Sequence, residues 1–365
     1  MLVPSCDPPS RTDGYGVTDA RAGWGKQLRL PDFFIIGAAK AGTTSLYDML
    51  ARHPGVFLPS RKEPEFFARD DLYAEGIENY AWMFDPARPD QLTGEGSTLY
   101  SLSPLFPDTA SRIARHVPQA RFIYVLRHPV ERAYSFYIQL VKNYQNATGD
   151  YVVHRRFEDF VLPEFHARAA PRAKVLAPFN AHFPDTPELC LAGSDYLMQI
   201  RAYLAHVPRE RMLFLKFEDF RRDREAVTKR VCDFLGLPPM EGHPAEAGRR
   251  NVSRDHFDRL GEQLAMDTLR NRAGLLWKFR GMLPTSLRQR LRERALARAP
   301  RVEFLHEPPA MLPETRALLE QRFAVQIPEL SQLTGLDLAE WGLDLPRDQM
   351  HPTAVLDANR FPALR

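Results

Sequence analysis

The sequence predicts an α/β fold, a parallel sheet flanked by helices on both faces, because three stretches repeat one plan of apolar run, loop and helix-periodic segment. The first run is Phe33 to Gly37, Phe-Phe-Ile-Ile-Gly, aromatic and β-branched throughout, as a strand buried on both faces reads. After the loop Ala38 to Gly42, threonines 43 and 44 are placed to cap a helix whose Leu46, Met49 and Leu50 fall at i, i+3 and i+4 and which ends near His53-Pro54-Gly55. The second unit is Arg121 to Leu126, followed by Arg127-His128-Pro129 and a helix from Val130 to about Lys142. The third is Arg211 to Lys216, followed by one helix from Phe217 to Leu235 with Val227, Val231, Phe234 and Leu235 in register. Leu312 to Leu338 returns to helical periodicity, and Trp341 is expected to pack the end of that closing segment.

Length and composition set the frame. The 365 residues fit a single elaborated domain over 31–345, with flexible tails at 1–30 and 346–365. A hydrophobic share of 44% supplies an ordinary core. Gln145 to Leu191, rich in Pro, His, Arg and aromatic residues, reads as a cap insertion over the sheet and a place for acceptor specificity. Cys6, Cys190 and Cys232 are the three cysteines, an odd number without CxxC spacing, which supports neither a disulfide framework nor a thiolate zinc site. A reducing, cytoplasmic setting fits that usage. The first thirty residues contain no apolar run of roughly 7 to 15 residues, so they read as a tail and not as a secretory signal.

A balance of 49 basic against 46 acidic residues gives a net charge of only +3, so anion binding has to come from local clusters. One cluster is Arg270 to Arg301, where ten Lys or Arg stand against the single Glu293 and leucines 283, 287, 291 and 296 suggest an amphipathic helix. It reads as a solvated basic face, or as a peripheral contact with an anionic membrane surface or an acidic or lipid-linked acceptor. With only Trp277 and Phe279 as aromatic residues, it offers no base-stacking platform for nucleic acid.

The other cluster is a loop. Gly37-Ala38-Ala39-Lys40-Ala41-Gly42-Thr43-Thr44 joins a strand to a helix, where free backbone N–H groups and the positive helix end favour a bound anion. This makes the sheet P-loop-like, yet the nucleoside-triphosphate loop puts Lys directly after its last Gly, and here that position is Thr43. Lys40 meets the anion from inside the loop instead. A nucleotide kinase or NTPase should also hold Mg²⁺ with an acidic residue at a strand end, whereas the next strong strand ends in Leu126-Arg127. That kinase reading and a non-catalytic polyanion binder are the two alternatives.

Three stretches resemble the PAPS-dependent sulfotransferases, closest to the heparan sulfate sulfotransferase-like branch and its bacterial relatives. Ala38 to Leu46 is similar to that family's loop for the 5'-phosphosulfate of 3'-phosphoadenosine 5'-phosphosulfate (PAPS), Lys62-Glu63-Pro64-Glu65-Phe66-Phe67 to its acidic segment ending in two Phe, and Val125 to Ser135 to its 3'-phosphate site. Weaker similarity runs through Gly193 to Phe220 and Leu312 to Trp341. One departure is Gly96, where related heparan enzymes often carry Lys, so that an active-site cation is either missing here or supplied from elsewhere.

The resemblance implies transfer of a sulfuryl group from PAPS, used without a metal, to an acceptor hydroxyl of carbohydrate-like character. Lys40 and the N–H groups of Ala41, Gly42, Thr43, Thr44 and Ser45 would hold the phosphosulfate; Arg127 and Ser135 would take the 3'-phosphate; Glu63 would be the base, with Glu65 pointing elsewhere if the segment is extended. Lys62 is a candidate for orienting the acceptor or assisting the phosphosulfate, or is simply exposed. Arg132 binds solvent or an acidic neighbour. His128, His166 and His182 are alternative bases by titration range but read first as structural or surface histidines.

Overall fold

The structure, a computed structural model, describes residues 28–103, 105–148, 156–162, 190–240 and 308–343. The tail at 1–27, most of the cap, His166, His182, the basic stretch at 270–301 and the segment from 344 onward lie outside the described residues.

Five strands form one parallel sheet: β1 (Phe33–Gly37), β2 (Val56–Phe57), β3 (Leu92–Gly96), β4 (Arg121–Leu126) and β5 (Met212–Lys216), in the order β2-β3-β1-β4-β5. All five residues of β1 are buried, as expected for the central strand of a sheet covered on both faces. Among the described residues the α-helices are α1 (Thr43–Leu50), α2 (Asp70–Ala74), α3 (Ile77–Ala81), α4 (Thr109–His116), α5 (Pro129–Thr148), α6 (Phe157–Val161), α7 (Tyr196–Leu204), α8 (Phe217–Arg222), α9 (Arg224–Leu235), α10 (Pro313–Ala324) and α11 (Ile327–Thr334). Phe34 stacks on Phe122 across the β1–β4 pair and meets Phe67 and Tyr100 edge-on, so the Phe66-Phe67 pair is core on the β1 side. The closing segment docks where expected: Trp341 is buried, its carbonyl accepts from His128 Nε2 at 3.1 Å, and Lys216 at the end of β5 donates to the Asp337 carbonyl at 2.8 Å.

Two strands and one break go beyond the expected plan. β3 reads Leu-Thr-Gly-Glu-Gly, poor in apolar side chains, because its neighbours fill the space: a Cβ on Gly94 would lie 2.2 Å from the Phe33 ring. β2 is two residues long, too short to show a pattern. The expected single helix from Phe217 to Leu235 is two, α8 and α9, because Asp223 leaves helical geometry and its side chain accepts from the Ala226 N–H at 2.9 Å, capping α9. The second unit's helix runs on to Thr148, so residues 145–148 of the expected cap belong to α5, with Gln145 fully buried.

β1 sits between β3 and β4, the point where the strand order reverses, and ligand sites of such sheets open beyond the carboxyl ends there. The loops after β1, β2, β3 and β4 all emerge at that edge. The cap on α9 contributes to stability independently of this edge: Asp223→Ala should cost about 1 kcal/mol and lower the melting temperature by roughly 1–2 °C in a thermal denaturation scan.

Candidate active site

The loop after β1 is shaped by backbone geometry that its sequence permits. Gly37 has φ 148° and a Cβ there would lie 2.4 Å from Ser101 Oγ; Gly42 has φ 87° and a Cβ there would lie 2.9 Å from the Phe217 ring. Both positions need glycine. The Ala38 N–H donates to the Val125 carbonyl at 2.8 Å, laying the loop over the end of β4. Gly42 is the N-cap of α1 and contributes no side-chain cap, which leaves the first N–H groups of α1, those of Thr43, Thr44 and Ser45, aimed outward. Ala41 differs from expectation: its N–H donates to the Ala38 carbonyl at 3.1 Å and closes the loop on itself.

Arg127 joins this loop from β4. Its Nη1 donates to the Lys40 carbonyl at 3.0 Å, and its guanidinium lies 5.0 Å from the centroid of Phe217, the ring that packs on Gly42. Lys40 itself has φ 72° and donates from Nζ to Gln139 Oε1 on α5 at 3.1 Å. Burial, then the like charges of Lys142 and Arg127, bring its ammonium down to about 8, with Glu63 opposing. Ser135 lies in the second turn of α5, half-buried, one helical turn before Gln139 and so on the face that α5 turns to Lys40.

The acidic segment approaches from the β3 side. Lys62 Nζ donates to Thr44 Oγ1 at 2.7 Å and stands 3.2 Å from Glu63 Oε1, while Thr98 Oγ1 donates to Glu63 Oε2 at 3.2 Å. Glu63 therefore shares one cation with the loop. Its backbone, and that of Glu65, has positive φ, 58° and 61°. The segment is consequently not a regular extended strand, yet Glu65 does turn elsewhere, towards Arg69 at 3.5 Å. Three alternate N–H groups anchor it: Glu63 to the Gly96 carbonyl at 3.1 Å, Glu65 to Ser97 Oγ at 3.2 Å, and Phe67 to Tyr100 Oη at 3.3 Å. The site of the missing lysine is closed sterically, since a Cβ on Gly96 would lie 2.9 Å from the Tyr47 ring.

Several residues of this site escape a reading of the sequence alone. Gln139, Thr98 and Tyr100 are polar residues without a motif; only the i,i+4 spacing from Ser135 could have nominated Gln139. Glu95 is a second carboxyl, 1% exposed, whose Oε2 accepts from Tyr80 and from Tyr100, the latter at 3.2 Å. Burial drives its pKa up to about 7, against the pull of the tyrosine hydrogen bonds. Two expected candidates belong to the scaffold. Arg132 is completely buried, donating from Nε to Ser194 Oγ and from Nη2 to the Cys190 carbonyl, both at 2.6 Å, where solvent or an acidic partner was expected. His128 is held against the Trp341 carbonyl, and burial lowers its pKa.

Residues 30–269 match the family model for the sulfotransferase domain. A bifunctional heparan sulfate N-deacetylase/N-sulfotransferase 4 of Mus musculus is 32% identical over 219 residues, 58% of this chain and 23% of that protein. The heparan sulfate glucosamine 3-O-sulfotransferase 5 of Mus musculus is 34% identical over 211 residues, 58% of this chain and 55% of that protein. The chain thus spans about a quarter of the first kind of relative and about half of the second. A sulfotransferase structure from Alicyclobacillus acidocaldarius shares the fold at a TM-score of 0.56 and 24% identity, covering 86% of this chain and 99% of that one. With the family match extending from just before β1 to beyond α9, this chain belongs to the sulfotransferase family.

Proposed function

We propose that the protein transfers a sulfuryl group from PAPS to an acceptor hydroxyl on a carbohydrate or a carbohydrate-like molecule and releases adenosine 3',5'-bisphosphate. The observation that carries this reading is the meeting of three segments at one sheet edge: the loop with Lys40, Arg127 clipped to it, and Glu63 tied to it through Lys62 and Thr44. The heparan sulfate relatives support the carbohydrate class.

The roles follow from chemistry. The N-terminal N–H groups of α1 and the Lys40 ammonium hold the 5'-phosphosulfate and stabilise charge growing on the bridging oxygen as its bond to sulfur breaks. Arg127, planar and permanently charged, and Ser135 receive the 3'-phosphate, which separates PAPS from a donor lacking it. Glu63, at the rim with a third of its side chain exposed, takes the hydroxyl proton as the new oxygen–sulfur bond forms; the electron pair leaves with the phosphate. Glu95 is unsuited to that task because it is buried and its Oε2 is taken by two tyrosine hydroxyls.

Three outcomes test the reading. Calorimetry on the full chain should detect adenosine 3',5'-bisphosphate without added metal; no association would remove the donor assignment. Because a bound polyanion holds Lys40 protonated, while the free ammonium titrates at about 8, binding should be pH-independent well below that value and weaken above it, by roughly tenfold per pH unit. Lys40→Met should flatten this dependence, and an unchanged slope in that variant would assign the proton to another group. Glu63→Gln should retain bisphosphate affinity while turnover of any acceptor the wild type sulfates falls by roughly 10² to 10⁴; wild-type turnover would discard Glu63 as base.

A further inference from the structure

Lys62 occupies a place that the proposed roles leave unused. It follows β2, reaches across to the second residue of α1, and ends with its ammonium 2.7 Å from Thr44 Oγ1 and 3.2 Å from Glu63 Oε1. The two cations assigned to the phosphates face differently: Lys40 Nζ is turned to Gln139 on α5, and Arg127 lies on the Lys40 carbonyl and the Phe217 ring. Lys62 is thus the cation that bridges the loop and the carboxylate of Glu63.

That position has a chemical meaning, on the reading that the loop holds the phosphate of the donor and Glu63 activates the acceptor. A group handed from a loop-bound phosphate to an acceptor poised at Glu63 must cross the space between loop and base. Its non-bridging oxygens are the anionic atoms that cross there. We infer that Lys62 is the residue that recognises the transferred sulfuryl group itself, pairing with its non-bridging oxygens and leaving the phosphates to Lys40, Arg127 and the α1 N-terminus.

Two features of the surroundings agree. Lys62 is partly exposed, 22%, so its ammonium can exchange the Glu63 contact for an incoming anion without a buried charge being stranded. Its ammonium stands over the Tyr47 ring, 6.0 Å from the centroid, and Tyr47 is fixed by donating to the Pro59 carbonyl at 2.5 Å, so the ring helps to hold the ammonium near Thr44. Moving Lys62 onto the sulfuryl oxygens would also free Glu63 Oε1 to accept the acceptor proton, so donor binding prepares the base.

The test compares two ligands that differ only in the sulfuryl group, PAPS and adenosine 3',5'-bisphosphate, with the full chain and no acceptor present, so that affinity and not turnover is read. Lys62→Met should weaken PAPS by about tenfold and the bisphosphate by less than about twofold, and Lys62→Arg should recover most of the PAPS affinity. Equal weakening of both ligands would make Lys62 a support of the loop and overturn the assignment, as would unchanged PAPS affinity. Thermal melting of each variant checks the fold, and if the Met variant does not fold, Lys62→Gln carries the same comparison. Failure of the wild type to bind either ligand overturns the donor reading and the role of Lys62 with it, an outcome distinct from the loss of selectivity in the variants alone.

Discussion

The hydrogen bond from Arg127 to the carbonyl of Lys40 is the constraint on which the site depends. It connects the end of β4 to the loop after β1 beyond the point where the backbone bond from Ala38 to Val125 ends their pairing. The guanidinium also lies over Phe217, and Phe217 in turn blocks any side chain at Gly42. Loop curvature, the direction of the α1 N-terminus and the position of the Lys40 backbone are therefore set together. Burial disfavours the charge of Arg127, offset by Glu131 first and then by Tyr196 and Glu218, so the residue is kept ionised in a half-buried place where an anion can reach it.

The cations that converge on the loop repel one another. Lys40 is depressed by burial and by Lys142, Arg127 and Lys62, with Glu63 acting in the opposite direction. An anion with several charges would remove this mutual repulsion, which is the physical argument behind the proposed donor, a nucleotide charged at both ends. The two carboxyls at the edge are divided by environment. Glu95 is enclosed by Tyr80 and Tyr100 and pushed up to about 7, whereas Glu63 sits at the rim beside Lys62 and Thr98. Through Tyr100, which also takes the Phe67 N–H, the buried carboxyl is linked to the segment that presents the outer one.

What could be read from the sequence was local. β1, β4 and β5 announce themselves as apolar runs because they are buried on both faces, and the glycines and Lys40 of the first loop lie within one contiguous motif. β3 could not be read: its two glycines and its glutamate are dictated by the Phe33 and Tyr47 rings and by two tyrosine hydroxyls, all contributed from elsewhere in the chain. Asp223 was a capping residue inside an otherwise continuous apolar period, and the period masked it. The contacts that assemble the site, Lys62 with Thr44, Lys40 with Gln139 and Arg127 with the loop, join residues 18, 99 and 87 positions apart, a separation that no motif spans.

The segment from Lys62 to Phe67 shows why the strand that resisted reading matters most. Glu63 and Glu65 adopt left-handed backbone conformations, which for such residues cost of order 1–3 kcal/mol each and persist only when the surroundings over-determine them. The over-determination comes from the residues just past β3, where Gly96, Ser97 and Tyr100 take the N–H groups of Glu63, Glu65 and Phe67 in turn, and Thr98 takes the Glu63 carboxylate. A regular strand at 63–67 would alternate its side chains between faces and carry Glu63 and Glu65 to the same side. With the left-handed turns, Glu63 goes to Lys62 and the loop while Glu65 goes to Arg69. The strain separates two neighbouring acids, so that a single carboxylate faces the loop, and the sheet edge that carries the loop also holds the proposed base in place.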